Sequence, residues 1–326
     1  MANKVRLGLV GCGGFMRHHL SFIVDDSDWQ ITSLCETNAE QIAKTHEAYP
    51  SLADLPIFAE SDQLAESGLL DAVIIGTPHT LHADQIVKFL SCGIHVLVDK
   101  PMVTTIADAH RVIKARDESG LVCGVSYQRH GKGQFRWMKE KIDTKAFGNL
   151  QFVNSHLGQE WFRLTKGLWR QEMALSGGGQ LNDSGSHMVD ILLWMTGEEA
   201  DLVTAFTDHK GSEVDINSAV TVKFKSGAFA NLSIIGDAPR WHERHWLWFD
   251  DAMVEIDDPV IRVYDSKYQV EIIEEFAEDI TPERNFLEAI RGEAEILAPV
   301  ESGLRTIELT EAAWRSAADG GSAQRP

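Results

Sequence analysis

Residues 5–10 (VRLGLV) form a short apolar run stopped by glycines, and runs of the same kind recur at 30–35, 71–76 (DAVIIG), 94–98 (IHVLV) and 121–126. Between them lie helical patterns, one beginning near residue 15 and others at 81–91 and 107–118. Glycines that suit helix C-termini follow the last two. Short, nearly all-apolar strands alternating with helices predict a doubly wound parallel sheet covered on both faces, occupying residues 1–126.

Beyond Tyr127 the pattern changes. A helix is expected near 134–142 and a strand at 150–156, followed by a polar, Trp-containing and Gly-rich stretch to Asp183. Another helix is expected at 186–195, ending at Gly197. Alternating strands follow at 219–224 and 229–235 around a Lys225-Ser226-Gly227 turn, with further strand-like pieces to 273. Period-two alternation and hairpin turns predict a mostly antiparallel sheet in a second domain, 127–326. Helices near 282–291 and 304–317 close the chain, and the tail from about 319 is expected to be disordered. At 326 residues, two abutting domains with a cleft between them are expected.

Composition narrows the function classes. No run approaches the roughly 18 apolar residues that a membrane span needs, and the N-terminus enters a strand pattern without a basic segment, apolar run and cleavage site in series. The formal charge of −19 argues against nucleic-acid partners. The four cysteines, Cys12, Cys35, Cys92 and Cys123, lack CxxC spacing and read as reduced thiols, which points to a cytoplasmic protein without a structural zinc. No compact metal-ligand spacing occurs, so no metal site is expected.

Chemistry enters at the first strand–helix junction, where Gly11, Cys12, Gly13, Gly14, Phe15 and Met16 follow the strand. Gly11 permits a tight turn, and Gly13 lets backbone approach a pyrophosphate at the helix N-terminus. Methionine stands at position 16, where GxGxxG has its third glycine. Glu36 follows the second strand, in the place where an acid accepts hydrogen bonds from an adenosine ribose. A 2′-phosphate there would meet a carboxylate, with no cation at Thr37 or Asn38, so NAD is favoured over NADP. Thr77-Pro78-His79 and His82 lie at the end of the 71–76 strand, where ligands of open α/β sheets bind; for His82 a ligand-free role at a helix start is equally open.

Asp99-Lys100-Pro101 ends the 94–98 strand, so Lys100 is expected over the carboxyl edge of the sheet, beside a nicotinamide. In GGGQLNDSGSHMVD, residues 177–190, Asp183 and His187 are four apart and share one side of a helix's first turn. Oxidising a secondary alcohol needs a base for the hydroxyl proton, which a neutral histidine supplies near pH 7. A lysine can hydrogen-bond the same oxygen and stabilise its developing charge. The plainer alternative makes Asp183 an N-cap and His187 a core histidine.

Together these segments resemble the Gfo/Idh/MocA oxidoreductase family, which includes glucose–fructose oxidoreductase and inositol dehydrogenases. The resemblance rests on GCGGFM, GTPHTLHADQIVKFLSCGIHVLVDKPM, the pair Trp169-Arg170, GGGQLNDSGSHMVDILLWMTG and GLRTIELTEAAWRSA, and it covers nearly the whole chain. It implies an N-terminal Rossmann domain and a C-terminal α/β domain built on a large, mostly antiparallel open sheet that mediates homodimers or homotetramers. It also implies Lys100, Asp183 and His187 as catalytic residues, and cofactor contacts at Thr77, Pro78, His79, Asp99, Gln128, Trp169 and Arg170. Asp99 replaces the family's usual glutamate, and Met16 its third glycine.

The implied activity is NAD-dependent hydride transfer at a secondary hydroxyl of a sugar, inositol or sugar derivative. Trp161 and Arg163 are candidate substrate contacts beside Lys100, Asp183 and His187, because aromatic faces and cations suit sugar rings. Residues 240–248, rich in Arg, His and Trp, read rather as an oligomer interface; Tyr127, His130 and His156 are weaker candidates. Two other readings stay open: an NAD-retaining glycosidase that works by transient oxidation, and a non-catalytic sugar or NAD sensor.

Overall fold

The structure, a computed structural model, describes residues 4–326. It divides into two compact units. The first comprises residues up to 103, 107–127 and 281–301; the second comprises 104–106, 128–280 and 302–326. A segment near the C-terminus therefore belongs to the first unit.

The first unit runs β1 (Val5–Val10), α1 (Gly14–Ile23), β2 (Trp29–Cys35), α2 (Ala39–Ala48), β3 (Ile57–Phe58), α3 (Ser61–Ala65), β4 (Ala72–Ile75), α4 (His82–Ser91), β5 (His95–Val98), α5 (Ile106–Ser119) and β6 (Cys123–Val125). Its six strands are all parallel, in the order β3-β2-β1-β4-β5-β6. This is the doubly wound Rossmann sheet, and its strand order reverses between β1 and β4, where such sheets bind ligands. Leu7, Leu9, Ile74, Ile75, Val96 and Val98 are fully buried because helices cover both faces, which accounts for the near-continuous apolar runs. Helix α2 has no apolar stripe; it is started by Asn38, whose side chain accepts from the amides of Glu40 and Gln41.

The second unit follows with α6 (Gly133–Asp143), β7 (Leu150–Gly158), α7 (Trp161–Leu164), α8 (Met173–Ser176), α9 (Ser184–Thr196), β8 (Ala200–Asp208), β9 (Asn217–Phe224), β10 (Phe229–Ile235), β11 (His242–Phe249), β12 (Ala252–Asp257), β13 (Val260–Asp265) and β14 (Val270–Ile273). Then α10 (Pro282–Ile290) returns to the first unit, and α11 (Val300–Ala318) completes the second. The eight-stranded sheet, ordered β14-β13-β12-β11-β7-β10-β9-β8, is antiparallel except where β10 meets β7. Val153, Leu157, Leu232, Ile234 and Leu247 share a core with Met188, Ile191, Leu192 and Met195 of α9. On the alternate positions, Phe229, Phe152 and Trp248 lie side by side across β10, β7 and β11, with ring centroids 6.3 and 6.2 Å apart.

The tail, expected to be disordered, instead runs beside β8. Gln324 and Val203 exchange backbone hydrogen bonds of 2.8 Å, and Arg325 pairs with Asp201. The reason is the edge position of β8, whose unpaired backbone groups offer the tail partners. Among the described residues, no helix is long and apolar enough to cross a membrane.

Helix α10 is fixed to the first unit by a buried ion pair. His19 Nδ1 of α1 lies 2.5 Å from Glu283 Oε1. Burial alone would favour both neutral forms, but each partner's charge outweighs it, so His19 lies above its ordinary 6.5 and Glu283 below its ordinary 4.5. The contribution of His19 is whole below 6.5 and is lost as pH rises through its raised folded value. That of Glu283 is whole above 4.5 and is lost as pH falls through its lowered folded value. Glu283→Gln should therefore cost most, about 2 kcal/mol, between pH 4.5 and 6.5, as measured by urea unfolding across pH.

Candidate active site

In the first unit the glycine turn is set by close approach. Gly11 has φ +85°, and a Cβ there would fall 2.6 Å from Gly76 O, so only glycine fits between the ends of β1 and β4. A Cβ on Gly13 would meet no atom within 4 Å. Gly13 thus presents bare backbone to open space at the start of α1, a cradle that suits a pyrophosphate. Met16 is fully buried in the core, and its Cε would lie 3.4 Å from a Cβ on Gly76. The position where GxGxxG has its third glycine therefore faces inward here.

Glu36 sits at the end of β2. Its Oε2 accepts from the Cys12 amide at 2.7 Å, and its Oε1 from the amides of Thr37 and Asn38, each at 2.8 Å. Three backbone donors thus hold a carboxylate beside the turn. Arg17, not singled out in the sequence, donates to Cys12 O at 2.7 Å and so belongs to the same turn.

Lys100 follows β5 and is only 3% exposed, with its Nζ 5.3 Å from the centroid of the Phe15 ring. A buried ammonium is thereby placed against the aromatic residue of the glycine turn. Thr77 Oγ1 donates to Gln85 of α4 at 2.6 Å. His79 and His82 are buried, and His82 carries both ring nitrogens on backbone carbonyls. The side chains of Cys12, Met16 and His82, all fully buried, therefore offer a ligand no surface, whatever their backbones do.

In the second unit Asp183 is the N-cap residue of α9, yet its side chain makes no cap hydrogen bond. Its Oδ2 instead accepts from Trp161 Nε1 at 2.7 Å and Arg170 Nε at 3.1 Å. That separates Asp183 from the plain capping role. His187 lies in the first turn of α9, 9% exposed, and Arg170 stacks on Trp169 at 4.4 Å. Trp161 is buried and acts on Asp183 directly; Arg163 stands in solvent, paired with Glu160; Gln128 is exposed.

The sequence gives no hint of Asp215, which organises the loop before α9. Its Oδ1 accepts from Gly179 N at 3.0 Å and Trp314 Nε1 at 2.9 Å, and its Oδ2 from Leu181 N at 2.9 Å. A Cβ on Gly179 would fall 1.8 Å from Asp215 O, which explains a glycine there.

Two family descriptions match this chain: "Oxidoreductase family, NAD-binding Rossmann fold" over residues 5–127 and "GFO/IDH/MocA C-terminal domain" over residues 135–255. The chain belongs to the Gfo/Idh/MocA oxidoreductase family. As a member it is a nicotinamide-dinucleotide-binding oxidoreductase.

This Gfo/Idh/MocA protein is 27% identical over 277 residues to 4-carboxy-2-hydroxymuconate-6-semialdehyde dehydrogenase of Sphingobium sp. (strain NBRC 103272 / SYK-6), a match covering 78% of the chain and 83% of the relative. It is 25% identical to scyllo-inositol 2-dehydrogenase (NADP(+)) of Bacillus subtilis (strain 168), a match covering 60% of the chain and 52% of that relative. The WlbA dehydrogenase of Bordetella pertussis, solved with NADH and UDP-GlcNAcA, superposes with a TM-score of 0.84 at 25% identity over 99% of each chain.

Proposed function

We propose that this Gfo/Idh/MocA protein is an NAD-dependent dehydrogenase or reductase acting on a secondary hydroxyl of a sugar, a polyol such as inositol, or a sugar derivative. The observation that carries the reading is the buried Lys100 ammonium at the end of β5, held against Phe15 of the glycine turn. The ammonium lies against the aromatic ring of the glycine turn, among the residues that fit a dinucleotide. The relatives on inositol and on nucleotide sugars support the substrate class.

The residues that would hold the cofactor are Gly11, Gly13 and Gly14 through their backbone, Glu36 at the adenosine ribose, and Phe15, Thr77, Pro78 and Asp99 towards the nicotinamide. Bound there, NAD supplies the hydride acceptor or, reduced, the donor. In the oxidative direction His187 takes the hydroxyl proton. Lys100 donates a hydrogen bond to the same oxygen and stabilises the developing alkoxide. Asp183, oriented by Trp161 and Arg170, holds a neighbouring hydroxyl or the base itself in position.

Glu36 decides the choice of cofactor in this proposal, because a 2′-phosphate would meet a carboxylate already fixed by three amides. In a panel of inositols, aldoses and uronic acids, kcat/KM with NAD should exceed that with NADP about 10- to 100-fold. A strong reverse preference would remove the role given to Glu36. The row of Phe229, Phe152 and Trp248 supports assembly of copies of this chain through the large sheet, which sedimentation of the intact protein would show as a dimer or tetramer.

A further inference from the structure

His82 is the first residue of α4 and is fully buried, and both of its ring nitrogens face backbone oxygens. Nδ1 lies 2.9 Å from Pro101 O and Nε2 lies 3.0 Å from Thr77 O. Carbonyl oxygens accept hydrogen bonds and never donate them, and a neutral imidazole carries one N–H. A neutral ring can therefore bind one of the two carbonyls and must set a lone pair against the other. Only the imidazolium, with two N–H groups, binds both.

The two carbonyls belong to different strand ends. Thr77 lies just beyond β4, and Pro101 follows Lys100 beyond β5. We infer that His82 is a positioning residue that ties the Thr77 turn to the Lys100-Pro101 turn, and that the tie is complete only when the ring carries two protons. Asp99 and Lys100 at the end of β5 act on the ring electrostatically, and His79 faces it edge-on with centroids 5.8 Å apart. Burial is the largest influence and pushes the ring towards neutrality, as Lys100 does; the two carbonyls and Asp99 oppose it, and His82 ends below its ordinary value. Below its lowered transition the ring holds both turns. Above its transition it holds one, and the segment carrying Lys100 loosens relative to the segment carrying Thr77.

The consequence for catalysis rests on the role proposed above for Lys100, but the tie itself does not. The test uses the full chain labelled with ¹⁵N-histidine. The two ring nitrogens of His82 are followed across pH and assigned by their loss in His82→Gln. Hydrogen exchange of residues 76–80 and 99–103, corrected for intrinsic rates, is measured at the same pH values. Both nitrogens should carry hydrogen on the acid side, and protection of both segments should fall together about tenfold as the second proton leaves. His82→Gln offers two amide hydrogens at every pH, so its protection should no longer depend on pH. His82→Phe should leave both segments at the lower level. One neutral tautomer throughout the folded pH range, or wild-type protection in His82→Phe, would overturn the proposal. Should His82→Phe fail to fold, a pH dependence in His82→Gln equal to that of the wild type overturns it. NADH titration of the same samples separates the two readings: a wild type that takes no NADH ends the cofactor assignment and leaves the exchange result standing.

Discussion

Lys100→Met should lower kcat about 10³- to 10⁴-fold while leaving the affinity for NADH within about threefold of wild type. Methionine keeps the length and the apolar stem of the side chain, so the contact with Phe15 survives in shape while the charge is lost. The loss should appear in kcat and kcat/KM alike, since the ammonium acts on charge that develops only as the hydroxyl loses its proton. Steady-state kinetics on any substrate the panel identifies, beside fluorescence titration with NADH, checks both halves. An unchanged kcat would remove Lys100 from the chemistry.

Arg129→Ala should destabilise the protein by about 3–5 kcal/mol, because it strands a buried carboxylate. Arg129 Nε and Nη2 reach Glu243 at 2.9 and 2.5 Å, and the two side chains are only 8% and 14% exposed. Burial by itself would raise the Glu243 carboxyl, but Arg129 and His245 outweigh it and hold it well below its ordinary value. That stability is whole above the ordinary 4.5 and is lost as pH falls through the lowered folded value. The gap between wild type and Arg129→Ala in urea unfolding should therefore be widest near neutrality and shrink in strong acid. Arg129→Ala/Glu243→Ala should recover much of the loss, since it removes the stranded charge as well.

The elements that could be read from the sequence are those whose burial writes a pattern. β1, β4 and β5 are apolar apart from Arg6 and His95 because both faces are covered, and α9 repeats Met188, Ile191, Leu192 and Met195 because one side enters the core. Helix α2 escaped because Thr45 is its one buried residue, so only the Asn38 cap marks it. Strand β8 escaped because it lies at the sheet edge and only Val203 and Ala205 of Ala200–Asp208 are buried, which leaves little alternation to read. The turn residues Gly11 and Gly13 and the carboxylate of Glu36 were legible because a phosphate turn imposes local backbone demands. Asp215 and Arg17 were not, since each acts through hydrogen bonds to segments distant in sequence. His82 was legible as a position but not as a role; its burial points it at two carbonyls rather than at a ligand.

The most direct measurement is a fluorescence titration of the intact wild-type chain and Gly13→Val with NADH. Saturable binding by the wild type and its loss in a folded Gly13→Val are expected, because a branched side chain would fill the open cradle before α1. Folded wild-type protein that takes up no NADH, or a Gly13→Val that binds it equally well, would contradict the assignment.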